Sequence, residues 1–225
     1  MIQTCQFQLE LKNVGFSYPS KSRRQDFSLV VENFSPGLCT ALMGENGSGK
    51  TTLGKLAAGL LRPNSGCVMY DGKDIAQRRL GEIGRSVGYL FQDPSRQIFA
   101  PSPLEEIAFP LELRGVPKPE AEEKALELLR QFELETIIDN TTYTLSRGEK
   151  QRLAIAAALV MEPHYFVLDE PTTGLDQRRR GILADTLRRL MSNNVGLLLI
   201  SHDRDFAEEL GADIRLMKGG RLVEE

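Results

Sequence analysis

The stretch ALMGENGSGKTT, residues 41–52, reads as the end of a strand, a glycine-rich loop and the start of a helix. Gly44, Gly49, Lys50 and Thr51 fit the pattern of glycine, four residues, glycine, lysine and serine or threonine. Glycines let successive backbone N–H groups turn towards one anion, while the lysine and the threonine suit phosphate and Mg²⁺. The following helix adds the positive end of its dipole. The stretch therefore predicts a phosphate-binding loop, with a plain glycine-rich turn as the alternative.

The length and composition of the chain are those of an ordinary globular protein. Its 225 residues suffice for one large α/β domain or two small ones. Hydrophobic residues make up 41% and charged residues 26%, which is typical of soluble domains. No apolar run approaches the length of a membrane span, and the polar start MIQTCQFQLE differs from a signal peptide. We therefore expect the chain to stay in the cytosol unless a partner recruits it.

Neither the charge nor the cysteines favour a nucleic-acid or zinc site. A net charge of −3 gives no general reason to expect nucleic-acid binding. The basic run at 178–180 leaves a local patch open, although a solvated helix start is the favoured explanation. Cys5, Cys39 and Cys67 are odd in number and widely spaced, without a CxxC motif or a nearby histidine. We expect buried or indifferent thiols in a reducing compartment.

Working outward from the loop, the hydrophobic pattern predicts alternating strands and helices. Strands are predicted around Phe7, Leu9 and Leu11 and at 27–33, 38–43, 66–70, 87–91, 165–168, 195–200, 213–217 and 221–223. Helices are predicted from the loop to before Arg62, in pieces between 93 and 119, and at 119–132, 147–160, 177–191 and 204–210. Such alternation implies a mostly parallel sheet with helices on both faces, preceded by a small antiparallel region. Chemistry should gather at the carboxyl ends of the parallel strands.

Three of the predicted strands end in polar residues suited to nucleotide hydrolysis. One leads into the phosphate loop, one into Asp169 and Glu170, and one into His202. Asp169 is placed to hold Mg²⁺, and Glu170 to orient and deprotonate an attacking water. His202 would sense the terminal phosphate. Without the loop, a solvated strand end would be the better explanation of the acidic pair.

The ordered set GENGSGKTT, Gln92, LSRGEKQRLAIAAAL, FVLDEPTTGLD and SHD resembles the ATP-binding subunit of ATP-binding cassette (ABC) transporters. The segment LSRGEKQR is similar to the family signature LSGGQ, which is far more specific than a phosphate loop alone. The resemblance implies an α/β P-loop NTPase fold of ABC type in a single nucleotide-binding domain, 1–225. Its antiparallel β region and P-loop core would span about 1–92 and 162–225, and its helical subdomain about 93–161.

The resemblance also implies a role for each matching residue, with ATP and Mg²⁺ as the bound species. ATP would be bound by Tyr18, Gly44, Glu45, Asn46, Gly47, Ser48, Gly49, Lys50, Thr51, Thr52, Ser146, Gly148 and Asp176. The catalytic residues would be Lys50, Gln92, Glu170 and His202, and the Mg²⁺ ligands Thr51, Gln92 and Asp169. Tyr18 would stack on adenine, with Phe16 as a substitute. Ser146 and Gly148 would contact ATP held by a second ATPase subunit, either an identical copy or a related chain, with Asp176 at the subunit boundary.

The signature segment departs from the family pattern at two positions. Arg147 replaces its first glycine and Glu149 its glutamine. We expect Arg147 to point outward or to add positive charge near ATP, and Glu149 to repel ATP weakly if it turns inward. We expect ATP hydrolysis to be retained.

The stretch YLFQDPSRQIFAPSPLEEIAFPLELRG, residues 89–115, resembles energy-coupling factor (ECF) transporter ATPases of vitamin and cobalt or nickel importers. The resemblance implies a transmembrane coupling protein and a membrane substrate-binding component as partners, at the cytoplasmic face of the membrane. Gln97 and the proline-rich segment would shape a groove for a helix of the coupling protein. The segment is too apolar to be left exposed without a partner or a core, and charges placed at Phe99 or Ile107 are expected to disrupt membrane assembly; its apolar residues are Ile98, Phe99, Leu104, Ile107 and Phe109.

Other ATPase classes remain as alternatives. The chain could serve another class of ABC transporter, or act as a soluble cassette ATPase on nucleic acid, although it lacks the long coiled-coil insertions of such proteins. A metabolite kinase would leave the signature segment and the sequence GLD unexplained. The sequence names no cargo.

Overall fold

The computed structural model of the protein describes residues 8–18, 27–28 and 31–223. The predictions made for Cys5, Phe7 and residues 29–30 lie outside this part of the chain. The strands in it are Leu9–Phe16 (β1), Phe27–Ser28 (β2), Val31–Phe34 (β3), Cys39–Met43 (β4), Ser65–Tyr70 (β5), Lys73–Asp74 (β6), Val87–Leu90 (β7), Tyr165–Asp169 (β8), Gly196–Ile200 (β9), Asp213–Lys218 (β10) and Arg221–Val223 (β11). The α-helices are Lys50–Ala57 (α1), Leu80–Ile83 (α2), Pro103–Glu112 (α3), Lys118–Gln131 (α4), Arg147–Leu159 (α5), Gln177–Ser192 (α6) and Arg204–Glu209 (α7).

A six-stranded sheet forms the centre of the fold, in the order β11-β10-β4-β9-β8-β7. Its strands from β10 to β7 are parallel, and β11 pairs antiparallel with β10. Because β4, β9 and β8 are neighbours, their carboxyl ends meet at one edge of the sheet. The predicted mostly parallel sheet is confirmed.

A second, antiparallel sheet has the order β2-β1-β5-β6, with β3 also paired to β1. Tyr165 at the start of β8 ties the two sheets together. Its hydroxyl donates to the carbonyl of Phe34 at 2.9 Å and accepts from the amide of Leu9 at 3.2 Å. Leu53 and Leu56 of α1 are fully buried in the core between the two sheets. The predicted antiparallel region is therefore packed directly over the phosphate loop helix.

Helices α3 to α7 contribute to a second buried cluster, which covers the opposite face of the central sheet. The cluster continues from Leu129 and Phe132 of the helical region to Phe166 and Leu168 of β8. No helix within the described residues is long and apolar enough to cross a membrane. Helices thus lie on both faces of the central sheet, as the alternating pattern predicts.

Helix starts follow the local sequence. Side-chain caps on Ser102, Ser146, Asp176 and Asp203 accept from the amide three residues on, at the starts of α3, α5, α6 and α7. Helix α1 differs because its cap is Gly49, which offers no side chain to its first N–H groups. These N–H groups are therefore left for another acceptor.

Candidate functional site

The phosphate loop lies between β4 and α1, and its backbone geometry requires glycine. Gly44 has a φ of 141°, and a Cβ there would lie 2.2 Å from the carbonyl oxygen of Met217. The ammonium group of Lys50 donates to the carbonyls of Gly44 at 2.7 Å and Glu45 at 3.0 Å. Burial lowers the pKa of Lys50, while Glu170 and Asp169 act in the opposite direction. The loop thus holds a partly desolvated cation at the start of α1.

Three features of the loop fit a bound phosphate. The buried hydroxyl of Ser48 has no hydrogen-bond partner among the described residues. A Cβ on Gly47 would meet no described atom within 4 Å, so there is open space beside this residue. The N-terminus of α1 has no side-chain cap, so its first N–H groups can face an anion. A donor set of hydroxyl, amides and ammonium matches the oxygens of a triphosphate.

The buried carboxylate of Asp169 lies at the end of β8, beside the loop. The hydroxyl of Tyr89 donates to its Oδ2 at 3.3 Å, and the hydroxyl of Thr51 is also hydrogen-bonded to the carboxylate. Burial raises the pKa of Asp169, and these two hydrogen bonds oppose the rise. The oxygens of Thr51 and Asp169 are of the type that Mg²⁺ prefers.

Glu170 and His202 come from adjacent strands and meet beside the loop. Glu170 has a φ of 53°, which is uncommon for a residue with a Cβ, and its amide donates to the carbonyl of Ile200 at 2.8 Å. His202 Nε2 lies 3.6 Å from Glu170 Oε1 and 3.0 Å from Asn46 Oδ1. Burial raises the pKa of Glu170, although His202 opposes this through its charge and its amide. A carboxylate and an imidazole are thereby held at the phosphate end of the loop.

One cavity of about 340 Å³ collects most of the residues that the sequence singled out. Its lining comprises Asn46, Gly47, Gly49, Lys50, Thr51, Thr52, Gln92, Asp169, Glu170, Ile200 and His202. Gln92 is exposed on the loop after β7, whereas His202 follows β9. Because β8 lies between these two strands, the two residues flank Asp169 and Glu170. The cavity therefore joins a phosphate cradle to oxygen ligands for a cation and to a candidate base.

Tyr18 lies next to the loop at the end of the antiparallel sheet. Its hydroxyl is 3.3 Å from the hydroxyl of Thr52, and its side chain is 46% exposed. Phe16 packs edge-on against Tyr18 at 4.8 Å between ring centroids and lies against the core. Of the two aromatic residues, Tyr18 thus has the more accessible ring for a base.

Ser146 and Glu149 form a reciprocal cap at the start of α5. Both the hydroxyl and the amide of Ser146 donate to Glu149 Oε2, at 2.7 and 2.8 Å, while the Glu149 amide donates to Ser146 Oγ. These bonds from Ser146 hold the pKa of Glu149 below its usual range. Glu149 therefore turns back along its own helix.

Arg147 is exposed and lines a second cavity of about 580 Å³ together with Gln92 and Lys150.

Asp176 caps α6 and is paired with Arg179 of the same helix. Its Oδ1 accepts from the Arg179 amide and its Oδ2 from Nη1, both at 2.9 Å. The Arg179 amide is the main cause of the lowered pKa of Asp176. Within the described residues, the lining of the loop cavity includes neither Ser146, Gly148 nor Asp176. The chain by itself thus brings together only part of the predicted set.

An apolar groove of about 290 Å³ lies between α2, α3 and α5. Its lining includes Leu60, Leu80, Tyr89, Gln97, Phe99, Glu106, Pro110 and Met161. Gln97 also joins the segment after β7 to α5, because its side chain accepts from the Phe91 amide and donates to the Ala154 carbonyl, both at 3.1 Å. The buried carboxylate of Glu106 accepts from the amides of Phe99 and Ala100, and burial raises its pKa.

The predicted docking surface needs one correction. Ile107 is fully buried in the core, so its prediction as a surface residue is wrong. Ile98 and Leu104 are partly buried and pack against the same core. Phe99 and Phe109 are exposed by 61% and 40%, with ring centroids 5.5 Å apart. Phe109 follows Ile107 by two residues and therefore lies about 200° further round helix α3. When Ile107 faces the core, Phe109 faces away from it.

Sequence reasoning missed Tyr89 and Glu106. Tyr89 reads as an ordinary strand aromatic, and only its pairing opposite Val167 on β8 brings its hydroxyl to Asp169. Glu106 reads as a solvated residue at a helix start, whereas the preceding loop folds back onto its carboxylate. The residues next to Tyr89 and Glu106 in the sequence do not indicate these contacts.

Comparisons with known proteins agree with this arrangement. Residues 28–173 match the profile of the family described as ABC transporter. The chain is 39% identical over 215 residues to a provisionally named ABC transporter ATP-binding protein of Pyrococcus abyssi, covering 95% of this chain and 81% of that one. It is 38% identical over 223 residues to the energy-coupling factor transporter ATP-binding protein EcfA2 of Streptococcus thermophilus, covering 96% and 79%.

Solved structures show the same fold. One is cbiO1 from Clostridium perfringens, part of the ABC transporter complex cbiONQ, with a TM-score of 0.81 and 31% identity over 97% of this chain and 88% of that one. Another is a dimeric ATP-binding cassette in a post-hydrolysis state bound to ADP and Pi, with a TM-score of 0.88 and 27% identity over 96% and 97%. The fold of this chain is thus shared with solved ATP-binding cassettes, one of which holds ADP and Pi.

Proposed function

Because the chain belongs to the ABC transporter family and is an ATP-binding, ATP-hydrolysing subunit, we propose that it energises an ECF-type importer of a vitamin or transition-metal ion. The observation that carries the hydrolysis part of the proposal is the cavity shared by the phosphate loop, Asp169, Glu170 and His202. The ECF part is supported by the similarity to EcfA2 and cbiO1. We further propose that residues 1–225 act as one nucleotide-binding domain. Its site would lie at the cytoplasmic face of the membrane, to which partner proteins recruit it.

ATP and Mg²⁺ fit the donors of the cavity. The phosphates would lie against the loop from Gly44 to Thr52, with adenine on Tyr18. Thr51, Asp169 and Gln92 would hold Mg²⁺ through oxygen atoms. Bound there, Mg²⁺ would neutralise part of the negative charge on the β- and γ-phosphates. The buried ammonium of Lys50 adds a fixed positive charge that costs little reorganisation during the reaction.

Glu170 is the proposed general base. Its carboxylate is partly buried beside the loop and kept near His202, so it can accept a proton from an attacking water. His202 is held by Asn46 and by its proximity to Glu170, where a ring N–H can donate to a γ-phosphate oxygen. The strained backbone of Glu170 fixes the direction of its carboxylate.

A second ATPase subunit would complete the site. Ser146 and Gly148 lie at the N-terminus of α5, which suits an anion, yet the loop cavity of their own chain does not include them. We propose that they contact ATP held by the facing subunit, as part of a dimer that ATP closes and hydrolysis opens. A dimeric relative bound to ADP and Pi supports this arrangement.

The apolar groove is the proposed docking site for a transmembrane coupling protein. The exposed Phe99 lines it, the exposed Phe109 packs against Phe99, and Gln97 connects it to the loop that carries Gln92. A helix that fills the groove would therefore contact the segment between the site and α5.

Purification from native membranes is expected to yield a coupling protein and a substrate-binding protein that together support ATP-dependent uptake of a vitamin, cobalt or nickel. An assembly that exports its substrate would contradict the ECF assignment.

Replacing Phe99 with aspartate is expected to abolish copurification with the membrane partners. The side chain is 61% exposed, so the charge is tolerated in the free subunit but is desolvated in a filled groove. Binding of a fluorescent ATP analogue should stay within about twofold of wild type. Tyr143→Asp is the matched control, because Tyr143 is 80% exposed and does not line the groove. Recovery of the intact membrane complex with Phe99→Asp would contradict the docking surface.

Replacing Glu149 with glutamine is expected to strengthen ATP-dependent dimerisation about threefold to tenfold. The carboxylate accepts the hydrogen bond of the Ser146 hydroxyl and places a negative charge at the proposed γ-phosphate contact. Glutamine keeps an acceptor for the cap but removes this charge. Dimer dissociation constants are compared by sedimentation in a hydrolysis-deficient background. The control is Glu105→Gln, since Ser102 and Glu105 form the same kind of cap on α3. An unchanged or weaker dimer would refute the proposed contact.

A further inference from the structure

His202 stands on a short turn that is held at both neighbouring residues. The Ser201 amide donates to the Leu42 carbonyl at 3.2 Å, and the Ser201 hydroxyl accepts from the Asp203 amide at 2.9 Å. The side chain of His202 is half exposed, so packing alone does not fix it. Its distances to Asn46 and Glu170 therefore depend on the position of this turn.

Asp203 connects the turn to two helices. Its Oδ1 accepts from the Phe206 amide at 3.0 Å and caps α7. Its Oδ2 lies 2.8 Å from Nη1 of Arg180 in α6. The guanidinium of Arg180 also lies 5.3 Å from the ring centroid of the buried Phe206. Because Arg180 and Asp203 are only 28% and 23% exposed, solvent and salt screen this pair less than an ordinary surface pair.

Arg180 belongs to the first turn of α6. Its amide donates to the carbonyl of Asp176 at 2.8 Å, and Asp176 caps the helix. A shift of the α6 start would thus be passed through Arg180 to Asp203, next to His202. The connection from Asp176 to Asp203 thus consists of the first turn of α6 and the ion pair of Arg180 with Asp203.

We propose that Arg180 is a positioning residue for ATP hydrolysis. Through Asp203 it holds His202 at a fixed position relative to the start of α6. This inference rests on the roles proposed for Glu170 and His202. The family resemblance implies that Asp176 lies at the subunit boundary. The ion pair would then connect the position of the facing subunit to His202 in the chain's own site. Arg180 acts through His202 and does not itself contact the substrate.

Arg180→Ala is expected to lower kcat for ATP hydrolysis about tenfold, with KM for ATP changed less than about twofold. The control is Arg188→Ala. Arg188 also joins α6 to α7, by donating to the side chain and carbonyl of Glu209 at 2.9 and 3.1 Å, but at the far end of α7. It should leave kcat within about twofold of wild type. Equal losses in both variants would overturn the inference, because they would reflect helix packing alone.

Asp203→Asn provides a second variant that does not depend on the stability of Arg180→Ala. Asparagine is a good helix cap, so α7 keeps its first hydrogen bond while the charge pair is lost. The same selective loss of kcat is expected. Normal kcat in Asp203→Asn would overturn the inference.

A double-mutant cycle with His202→Ala separates positioning from general stability. If Arg180 acts through His202, adding Arg180→Ala to His202→Ala should change the remaining rate less than about twofold. Independent, multiplying losses would overturn the inference. Wild-type hydrolysis in His202→Ala would overturn the proposed role of His202 together with the inference, whereas an active Arg180→Ala beside an inactive His202→Ala would overturn the inference alone.

Discussion

Glu170→Gln is expected to lower the rate of ATP hydrolysis by about 10²–10⁴-fold while leaving ATP binding intact. Glutamine has the size of glutamate but cannot accept a proton from water. Glu170 is partly buried at a positive φ, and its position is fixed by the bond of its amide to Ile200. The substitution therefore removes the base without removing the backbone contact that places it.

The second expected effect of Glu170→Gln is a stable ATP-bound dimer. If hydrolysis opens the dimer, a subunit that binds ATP but does not hydrolyse it should remain closed. Sedimentation with ATP and Mg²⁺ should show a dimer, and without nucleotide a monomer. Single-turnover hydrolysis of radiolabelled ATP measures the chemical loss directly.

Glu162→Gln is the matched control for this experiment. Glu162 also has a positive φ, at 50°, yet it is exposed and does not line the loop cavity. Its replacement should leave hydrolysis within about twofold of wild type. Retained hydrolysis in Glu170→Gln would rule out the proposed base and leave Gln92 or His202 to orient the water.

The sequence was sufficient for the central sheet and for one side of the site. The phosphate loop, Asp169 and His202 follow strands that the hydrophobic pattern locates, and parallel strands bring their carboxyl ends together. Their meeting in one cavity follows from topology alone. The same is true of Glu170, which directly follows Asp169.

Contacts that depend on side-chain direction could not be obtained from the sequence in this way. Apolar content alone did not distinguish the buried Ile107 from the exposed Phe109 two residues later, because helix rotation decides which one faces the core. Glu149 is suited equally to facing ATP and to capping its own helix, and the structure has it bonded to Ser146. The pair of Arg180 and Asp203 joins residues 23 positions apart in different helices, for which the sequence has no periodic signal.

Lys50→Ala is expected to weaken ATP binding by at least about 100-fold and to abolish hydrolysis. Lys50 is only 6% exposed and its ammonium group donates to two loop carbonyls, so alanine removes a fixed charge and leaves both acceptors without this donor. One strong charge-assisted interaction with phosphate is worth about 1.5–3 kcal/mol, and a 100-fold loss corresponds to about 2.8 kcal/mol. Titration with a fluorescent ATP analogue measures the affinity.

Lys118→Ala is the control for Lys50→Ala, because Lys118 is also the first residue of its helix but forms an exposed ion pair with Glu122 and does not line the loop cavity. It should bind the analogue like wild type. Comparison with Glu170→Gln then tests the composite site: Lys50→Ala should stay monomeric with ATP because the nucleotide that joins the subunits is not bound, while Glu170→Gln should dimerise. Monomers in both variants would refute the two-subunit account, and dimers in both would show that assembly does not require ATP in the loop.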